Sequence, residues 1–480
     1  MQHQQHVFVG GEWAQPHGTE RLDVHSPATE AVIGSVPLAA RPDVDRAVAA
    51  ARQAFDGGGW ADLDPGQRLA YVNRFAAAVT ARSAGFVDVL SAEVGLPRAS
   101  LPAGQIAKAE GVFTAYAQLA AEYPWSETRT GSRGRTLRVH RRPVGVVAAL
   151  VPWNAPLFIA ALKLAPALLA GATVVLKPSE EAPLHASLLA ECAVEAGLPA
   201  GVFNVLVALP EVSEYLVTHP GVDKVSFTGS TAVGRRIGEL CGHDIRRCTL
   251  ELGGKSAALL LDDFEPTEAN ARSLATGAMA NSGQVCAAQT RILAPRQRYG
   301  EVVEAVAAAV EGLRVGDPQD AGTNVGPLVS ARQRERVEGH LARGRSEGAR
   351  VVVGGGRPAA ERGWYVQPTL FDRVEPQMAL AREEIFGPVA AVLPYDDEEH
   401  AIALANDSSY GLAGAVWTSD AERGEAVAGR FRSGSVAVNS PAPLDPHGPF
   451  GGFKQSGIGR EGGPEGLTAY TEYQTIVLPG

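Results

Sequence analysis

The chain has 480 residues, of which 45% are hydrophobic and 20% charged, and it contains four cysteines. Lysine and arginine number 43 against 53 aspartate and glutamate, so the formal net charge is −10. This length excludes a peptide or a small disulfide-stabilised module, and at about 150 residues per domain it predicts roughly three structural units. The acidic balance argues against nucleic acid and membrane partners, because both are bound mainly through lysine and arginine.

Export and membrane insertion are also disfavoured. The longest apolar run, 144–153, falls short of the roughly 18 residues that span a bilayer and predicts a buried strand instead. The first seven residues lack the basic start and apolar stretch of a signal peptide. With few cysteines, the thiols are expected to be reduced, so we predict a cytoplasmic location.

The first 120 residues predict helices after a short strand. Apolar residues recur at helical spacing over 44–55, with glycines at 57–59 ending the run, and again over 69–79. The segment 123–142 is polar, basic and rich in threonine, which predicts an exposed hairpin.

A regular alternation of strands and helices occupies 144–254. The predicted strands are 144–151, 172–176, 203–207, 224–227 and 246–250, and the predicted helices include 157–169 and 184–196. This spacing predicts βαβ units and a parallel sheet, which binds ligands at the carboxyl ends of its strands.

Three loops follow those strand ends and should line one crevice. They are Pro152-Trp153-Asn154, 177–180 and Thr228-Gly229-Ser230. The Gly-Ser turn opens a helix, whose free N–H groups and dipole favour an anion. The sequence therefore predicts a phosphate-bearing cofactor.

A second alternating region follows Gly254 and predicts a separate α/β domain. Its predicted strands are 256–261, 290–294, 390–394, 414–417 and 435–439. The tail 471–480 has the pattern of a short strand that could pair with another chain.

The four cysteines differ in their surroundings. Cys192 lies in an apolar helix and is interpreted as a core residue. Cys241 and Cys248 flank His243, but no second close cysteine pair accompanies them, which disfavours a metal site. Cys286 follows a helical segment among small residues, so its sulfur is a candidate nucleophile, with a plain buried cysteine as the alternative.

Glu251 is the candidate general base. It stands between two leucines and beside a Gly-Gly turn, where an ionised carboxylate would need a partner. A raised pKa would suit a base. The alternative is a carboxylate paired at the surface.

Five short motifs occur in order along the chain. They are Phe227-Thr228-Gly229-Ser230-Thr231, Glu251-Leu252-Gly253-Gly254-Lys255, Gly283-Gln284-Val285-Cys286, Glu384-Ile385-Phe386-Gly387-Pro388 and Pro449-Phe450-Gly451-Gly452-Phe453-Lys454-Gln455-Ser456-Gly457. Each is weak alone, but the ordered set resembles the aldehyde dehydrogenase superfamily, in its hydrolytic, non-phosphorylating branch. The resemblance extends from about Phe8 to the C-terminus.

The resemblance implies NAD(P)-dependent oxidation of an aldehyde to the acid. Cys286 matches the nucleophile that forms a thiohemiacetal and then a thioester. Asn154 matches the side-chain donor to the oxyanion, together with the Cys286 backbone N–H. Glu251 matches the base that activates water for thioester hydrolysis, and its presence favours release of a free acid over transfer to coenzyme A or phosphate.

On the cofactor side, the resemblance implies contacts from eight residues: Trp153, Lys177, Ser179, Glu180, Gly229, Ser230, Glu384 and Phe386. Glu180 would repel a 2′-phosphate, which favours NAD, although Lys177 could offset part of the repulsion and leave NADP possible. The segment 207–210 departs from the glycine-rich loop of most relatives, which leaves the adenine-side contacts open.

By motif position, the aldehyde tunnel should be lined by Ala155, Ile159, Leu162, Val285, Ala287, Leu444 and Phe450. This apolar set suits a bulky neutral aldehyde, aliphatic, terpenoid or aromatic, and contains no cation for a semialdehyde carboxylate. A semialdehyde or amino-aldehyde dehydrogenase is the first alternative, which Arg291 or a carboxylate entering the tunnel would favour. A non-catalytic binding or structural protein is the second. Asp445 and His447 are interpreted as solvated loop residues.

The predicted fold is therefore α/β. A Rossmann-like, parallel-sheet cofactor domain spans 1–122 and 146–253, and an α/β catalytic domain spans 254–455. A small β oligomerisation element combines 123–145 with 456–480. Because the last element is too small to fold alone, we predict a homodimer or homotetramer with a small-molecule aldehyde as substrate and no metal.

Overall fold

The computed structural model describes residues 5–57, 59–442 and 444–479. Within these ranges the strands are β1 Val7–Val9, β2 Glu12–Ala14, β3 Arg21–His25, β4 Val32–Pro37, β5 Ser126–Thr130, β6 Thr136–Pro143, β7 Val146–Leu150, β8 Thr173–Lys177, β9 Phe203–Val205, β10 Lys224–Thr228, β11 Arg247–Glu251, β12 Ala257–Leu260, β13 Arg291–Pro295, β14 Arg350–Val353, β15 Thr369–Asp372, β16 Val389–Tyr395, β17 Ala413–Trp417, β18 Ser435–Val438, β19 Gly457–Ile458 and β20 Thr471–Leu478.

The α-helices are α1 Arg41–Asp56, α2 Pro65–Ala81, α3 Ser83–Val94, α4 Ala107–Glu122, α5 Pro156–Ala170, α6 Leu184–Glu195, α7 Pro210–Thr218, α8 Thr231–His243, α9 Glu268–Met279, α10 Tyr299–Glu311, α11 Ala331–Ser346, α12 Ala379–Arg382, α13 Glu398–Asn406, α14 Ala421–Ala428 and α15 Gly463–Thr468. Short 3-10 turns are Arg98–Ser100, Ser132–Gly134, Ala280–Gly283, Arg296–Arg298 and Lys454–Ser456, and Pro102–Ile106 is a π-helical turn. Gly58 and Gly480, in the predicted glycine stop and tail, and the first four residues lie outside the described residues.

The first large sheet has eight strands in the order β19-β11-β10-β7-β8-β9-β1-β2. Its five central strands run parallel, as the alternation of strands and helices predicted, and the two edges are antiparallel. All five residues of β7 are buried, because strands of a parallel sheet are covered on both faces by helices. The predicted α/β class is confirmed.

Helix α5 anchors the loop that precedes it, between β7 and α5. Every residue of α5 is buried, including Lys163. Pro156 occupies its first turn, where a missing N–H costs nothing, and Gly171 at φ +93° ends it in a left-handed conformation. The loop between β7 and α5 is therefore held at both ends by buried elements, and Asn154 lies in that loop.

The second large sheet has seven strands in the order β14-β15-β16-β13-β12-β17-β18. All its pairings are parallel except that of β14 with β15. It forms two further buried apolar clusters, one on each face. This sheet corresponds to the second α/β region expected after Gly254.

A three-stranded antiparallel sheet, in the order β20-β6-β5, contains the predicted hairpin and the predicted tail strand. The intervening strand β19 belongs elsewhere: it pairs with β11 at the edge of the first sheet. The segment 456–480, which the sequence analysis assigned to the oligomerisation element, therefore begins with a strand of the first sheet. Only its second strand, β20, pairs with the hairpin. A fourth sheet consists of β3 and β4.

In the described part of the chain, no single helix is long and apolar enough to cross a membrane. Taken together, α2 and α3 are long and apolar enough to cross a membrane by length and composition alone, but the two helices are bent by 65° where they join.

Candidate active site

The carboxyl ends of β7, β8 and β10 surround one cavity of about 790 Å³. That volume is in the range of small-molecule sites. Its wall contains all three candidate catalytic residues and all eight candidate cofactor residues: Cys286, Glu251, Asn154, Trp153, Lys177, Ser179, Glu180, Gly229, Ser230, Glu384 and Phe386. The structure therefore brings together residues that are up to 233 positions apart, from Trp153 to Phe386.

Helix α8 begins at this cavity. The Ser230 hydroxyl accepts a hydrogen bond from the Val233 amide at 3.3 Å and so caps the helix. The helix N-terminus keeps further amides and a partial positive charge that favour an anion. The Thr228 hydroxyl, also in the wall, is buried with no hydrogen-bond partner among the described residues. These donors fit a phosphate-bearing cofactor.

The loop after β8 places a cation and a carboxylate side by side. The Lys177 ammonium lies 3.8 Å from a Glu180 carboxylate oxygen. Burial lowers the pKa of Lys177, and the charges of Glu180 and Glu181 oppose that shift. Glu181 is occupied by the Ser179 hydroxyl and by Arg332 at 3.1 Å, which leaves the Glu180 carboxylate available to sugar hydroxyls.

The cavity continues between α7 and α8, a part of the wall that the sequence analysis did not identify. The residues there include Pro210, Ser213, Val217, Val233, Ile237 and Leu240. They have the pattern of ordinary helix positions, and only the 49% exposure of Val233 in the structure distinguishes them. Apart from Ser213, these side chains are apolar and fit the flat base of a dinucleotide. The departure at 207–210 had left this adenine-side contact open.

At the opposite end of the cavity, two aromatic rings meet edge to face. The centroids of Trp153 and Phe386 are 5.4 Å apart at an interplanar angle of 87°. Nearby, a Glu384 carboxylate oxygen accepts a hydrogen bond from the Gly254 amide at 2.9 Å. Burial raises the pKa of Glu384, and the Gly254 amide and the Arg336 and Lys255 charges oppose that rise.

Close approach of three loops explains the glycine pair after Glu251. A Cβ on Gly253 would lie 2.5 Å from the Glu384 carboxylate, and one on Gly254 would lie 2.3 Å from the Cys286 carbonyl oxygen. Both distances are far inside van der Waals contact, so larger residues would push the nucleophile loop and Glu384 away from the cavity.

The loop before the candidate nucleophile has an unusual backbone. Asn281 and Ser282 have φ of +53° and +56°, each costing about 1–3 kcal/mol for a residue with a side chain. Side-chain hydrogen bonds hold the loop: Asn281 Nδ2 donates to the Asn154 carbonyl at 2.8 Å, and the Gln284 side-chain oxygen accepts from the Val329 amide at 3.0 Å. Such fixed, strained turns are typical of sites that orient a reacting group.

The Cys286 side chain is half-buried in the cavity wall. Burial raises the pKa of its thiol to about 12, and the charges of Glu384 and Glu251 add to that rise. Its own amide and that of Ala287 act in the opposite direction by hydrogen bonding. In this arrangement the thiol is protonated at neutral pH.

Glu251 is 3% exposed, and neither carboxylate oxygen has a hydrogen-bond partner among the described residues. Burial raises its pKa well above the usual value, and the negative charge of Glu461 raises it further. Lys163, which forms a buried ion pair with Glu461 at 2.6 Å, opposes the shift. A buried, unpaired carboxyl with a raised pKa has the properties of a general base.

Asn154 is buried, and its side-chain amide donates a hydrogen bond to the Gln284 carbonyl at 2.9 Å. A primary amide has two N–H groups, so a second donor remains. The same residue accepts the Asn281 hydrogen bond through its backbone. These bonds fix Asn154 against the loop that carries Cys286.

Alkylation of Cys286 by iodoacetamide should be slow near neutral pH in the cofactor-free protein. Because the thiolate is the reactive form, we expect the rate to rise about tenfold per pH unit between about pH 7 and pH 9, without a plateau. Site-resolved mass spectrometry measures this rate. Cys248 serves as an internal comparison, since a hydrogen bond with Cys241 lowers its pKa. A Cys286 rate that levels off in this range would contradict the expectation.

The residues expected to line the aldehyde tunnel lie outside the wall of the 790 Å³ cavity. Ala287, Leu444 and Phe450 pack in one apolar cluster with Cys286. Ile159 and Leu162 are buried in the largest core cluster, against which Ala155 and Leu444 also pack, and Val285 is half-buried. Asp445 and His447 are exposed, and their side chains are 3.0 Å apart.

Arg291 does not enter this region. Its guanidinium is buried and donates to the carbonyls of Lys255, Leu404 and Ala405 at 2.8–2.9 Å. The structure instead shows a cation that the sequence analysis missed. Lys108 on α4 lies over the ring of Phe158, 5.8 Å from its centroid, and a thiolate at Cys286 would raise the pKa of its ammonium. The sequence offered one signal for this cation: a single lysine among small residues of a helix.

In the segment 241–248, Cys241 is buried and Cys248 is half-buried. His243 is exposed, and its ring is hydrogen-bonded to Asp244 at 2.8 Å. Over 5–57, 59–442 and 444–479, no three histidine, cysteine, aspartate or glutamate side chains form a group that could hold a metal ion.

The whole-chain comparisons agree with this geometry. Residues 13–476 match the model of the aldehyde dehydrogenase family, and the chain belongs to that family. It is 46% identical over 476 residues to geranial dehydrogenase of Castellaniella defragrans, covering 99% of both proteins. The resemblance inferred from the five motifs is confirmed.

Solved structures superpose equally well. An aldehyde dehydrogenase of Mycobacterium tuberculosis complexed with NAD+ shares 47% identity with a TM-score of 0.96, covering 99% of this chain and 98% of that one. A mutant aldehyde dehydrogenase of Pseudomonas syringae complexed with NAD+ and octanal shares 39% identity with a TM-score of 0.95, covering 98% and 96%. The predicted aldehyde dehydrogenase fold is confirmed.

Proposed function

We propose that this protein oxidises an aldehyde to the carboxylic acid with NAD, through a covalent intermediate on Cys286. The observation that carries the proposal is the convergence of Cys286, Glu251 and Asn154 on a cavity that also contains a capped helix N-terminus. Binding alone would not require a nucleophile, a base and an oxyanion donor together, so the non-catalytic alternative has no support here.

In the first step, the Cys286 thiol releases its proton to solvent water, its sulfur bonds to the aldehyde carbon, and the carbonyl π bond breaks to leave a tetrahedral oxyanion. The free N–H of the Asn154 side chain and the Cys286 backbone N–H donate to that oxygen. The hydrogen bond of Asn154 to Gln284 orients the amide beforehand. Removing one such donor typically costs about 2.7–4 kcal/mol of barrier stabilisation.

When bound, NAD supplies the acceptor for the hydride that leaves the former aldehyde carbon. Cys286 then carries a thioester. Glu251 takes a proton from water, the resulting hydroxide adds to the thioester carbonyl, and the carbon–sulfur bond breaks to release the acid and the thiolate. A reducing compartment such as the cytoplasm suits this thiol, because oxidation would remove it.

The chain offers one residue set for each part of the cofactor. Gly229, Ser230 and the start of α8 would hold the pyrophosphate, and Lys177 with Glu180 the adenosine ribose. Ser179 adjoins that pair, Trp153 and Phe386 would pack near the nicotinamide, and Glu384 would hold its ribose. The Glu180 carboxylate would repel a 2′-phosphate, which supports NAD over NADP as the preferred cofactor.

A bulky neutral aldehyde, apolar or aromatic, is the substrate class that the apolar residues around Cys286 support. The name of the Castellaniella relative and the octanal complex of the Pseudomonas enzyme point the same way. The semialdehyde alternative would be favoured by Arg291 entering the tunnel. Because Arg291 is buried and bound to backbone carbonyls elsewhere, that version of the alternative is weakened.

The test is NADH formation with purified protein and a panel containing geranial, octanal, phenylacetaldehyde and an amino-aldehyde. We expect turnover with the first three, a free acid as product, and a lower rate with NADP. Absence of NADH with every aldehyde would overturn the proposal, and preference for the amino-aldehyde would overturn the substrate class.

Association into a homo-oligomer completes the proposal. The three-stranded sheet exposes apolar side chains on its edge strand β20: Tyr473, Ile476 and Val477 are 39–56% exposed. Exposed apolar residues on an edge strand favour pairing with another copy. The division into a cofactor domain, a catalytic domain and this bridging element belongs to the same proposal. Light scattering of the purified protein distinguishes monomer, dimer and tetramer.

A further inference from the structure

Lys108 has no carboxylate partner among the described residues, although the chain is acidic overall. The nearest acidic residue on its own helix, Glu110, accepts a hydrogen bond from Thr80 at 2.8 Å. A thiolate at Cys286, once formed, would raise the pKa of the Lys108 ammonium, so the two groups are near enough to interact. An unpaired cation thus lies in the neighbourhood of the nucleophile.

The position of Lys108 on α4 places it beside the expected aldehyde path. Lys108, Gly111 and Gln118 recur at helical spacing on one face. That face meets the loop that contains Leu444: a Cβ added to Gly111 would lie 3.9 Å from Pro446, and the Gln118 side chain is 3.2 Å from the His447 ring. Leu444 in turn packs against the same apolar cluster, Leu412, Ala413 and Phe450, as Cys286.

The opposite wall is α5. The Lys108 ammonium lies 5.8 Å from the centroid of the Phe158 ring, and the Phe158 backbone amide donates to Gln105 just before α4. Although Lys108 is solvent-exposed by area, surrounding protein lowers its pKa. The ammonium therefore lies against the Phe158 ring of α5 and is still open to water, where an anion can reach it.

We infer that Lys108 is a specificity-determining residue that binds a carboxylate at the far end of the aldehyde. This inference rests on the proposed oxidation of aldehydes and extends its substrate class to ω-oxo carboxylates, in which an apolar spacer joins the two ends. The spacer packs on Phe158 and Leu444, and the ammonium forms an ion pair with the carboxylate. A cationic amino-aldehyde is repelled at the same place.

The test compares a series of ω-oxo carboxylates of increasing chain length with their methyl esters, using NADH formation. At the best chain length, we expect Lys108→Met to lower kcat/KM for the acid about tenfold, mainly through KM, and to leave the ester within about twofold. Lys108→Arg should retain most of the acid activity. Added salt should reduce the preference of the unaltered protein for the acid over the ester.

Gln118→Met is the matched control, because it alters the same helix face without removing a charge. If Lys108→Met leaves the acid-to-ester ratio unchanged at every length, or if Gln118→Met shifts that ratio equally, the inference is wrong. Failure of the proposed function looks different: neither the acids, the esters nor octanal would yield NADH with the unaltered protein.

Discussion

Replacement of Cys286 by alanine should abolish aldehyde oxidation. Without the sulfur there is no thiohemiacetal, and the remaining groups can only bind the aldehyde and polarise its carbonyl. By analogy with removal of nucleophiles from other covalent enzymes, we expect kcat/KM to fall by about 10⁴-fold or more. Steady-state NADH formation with octanal measures the loss, and NAD binding should persist because the cofactor contacts lie on other loops.

The matched control is Cys248→Ala, the same substitution at another half-buried cysteine. We expect its activity to stay within about threefold of the unaltered protein. Thermal unfolding of both variants separates a chemical loss from a structural one. If Cys286→Ala retains normal turnover while it is folded, the covalent mechanism is excluded.

Glu251→Gln should separate the two half-reactions. The glutamine has nearly the same shape but cannot accept a proton from water, so thioester hydrolysis should slow by about 10²–10⁴-fold. Acylation does not need this base in the proposed scheme. Stopped-flow absorbance should therefore show a burst of NADH of about one equivalent per site followed by slow turnover. Normal steady-state turnover would remove Glu251 from the mechanism.

The pH dependence gives a second signature of the same residue. Burial and the charge of Glu461 raise the pKa of Glu251, so its carboxyl ionises only above the usual range of a glutamate. Only the ionised form accepts a proton, so deacylation should rise with pH through that raised pKa. In Glu251→Gln this rise should disappear, and hydroxylamine, which attacks a thioester directly, should restore turnover as the hydroxamate.

Much of the cofactor sheet could be predicted from the sequence because its signals are local. Five apolar runs of strand length alternate with helical segments, and parallel sheets place the loops after their strands on one side. Loops 152–154 and 228–230 were therefore expected to meet, and both line the cavity. The predicted helix 157–169 matches α5 to within one residue at each end, and in the structure a proline begins that helix and a glycine ends it.

Other parts depend on contacts between distant segments, which no local pattern encodes. The two-residue strand β19 exists because it pairs with β11. Among the described residues Glu251 has no hydrogen-bond partner, because the nearby Lys163 is bound to Glu461 instead. Those two residues are 298 positions apart in the sequence. Lys108 was missed because its importance comes from α4 packing beside α5 and the 444–447 loop, whereas in the sequence it is one lysine on a helix.

The late position of β19 and Glu461 also constrains how the protein is made. Both complete the surroundings of Glu251, yet they emerge from the ribosome about two hundred residues after it. At about 5–20 residues per second, the base stays without its final wall for roughly 10–40 s of synthesis. Throughout that interval the first sheet has an open edge at β11, which can pair with the wrong strand. The nascent polypeptide is therefore inactive until this segment has joined the sheet, and chaperone binding would protect it best in that interval.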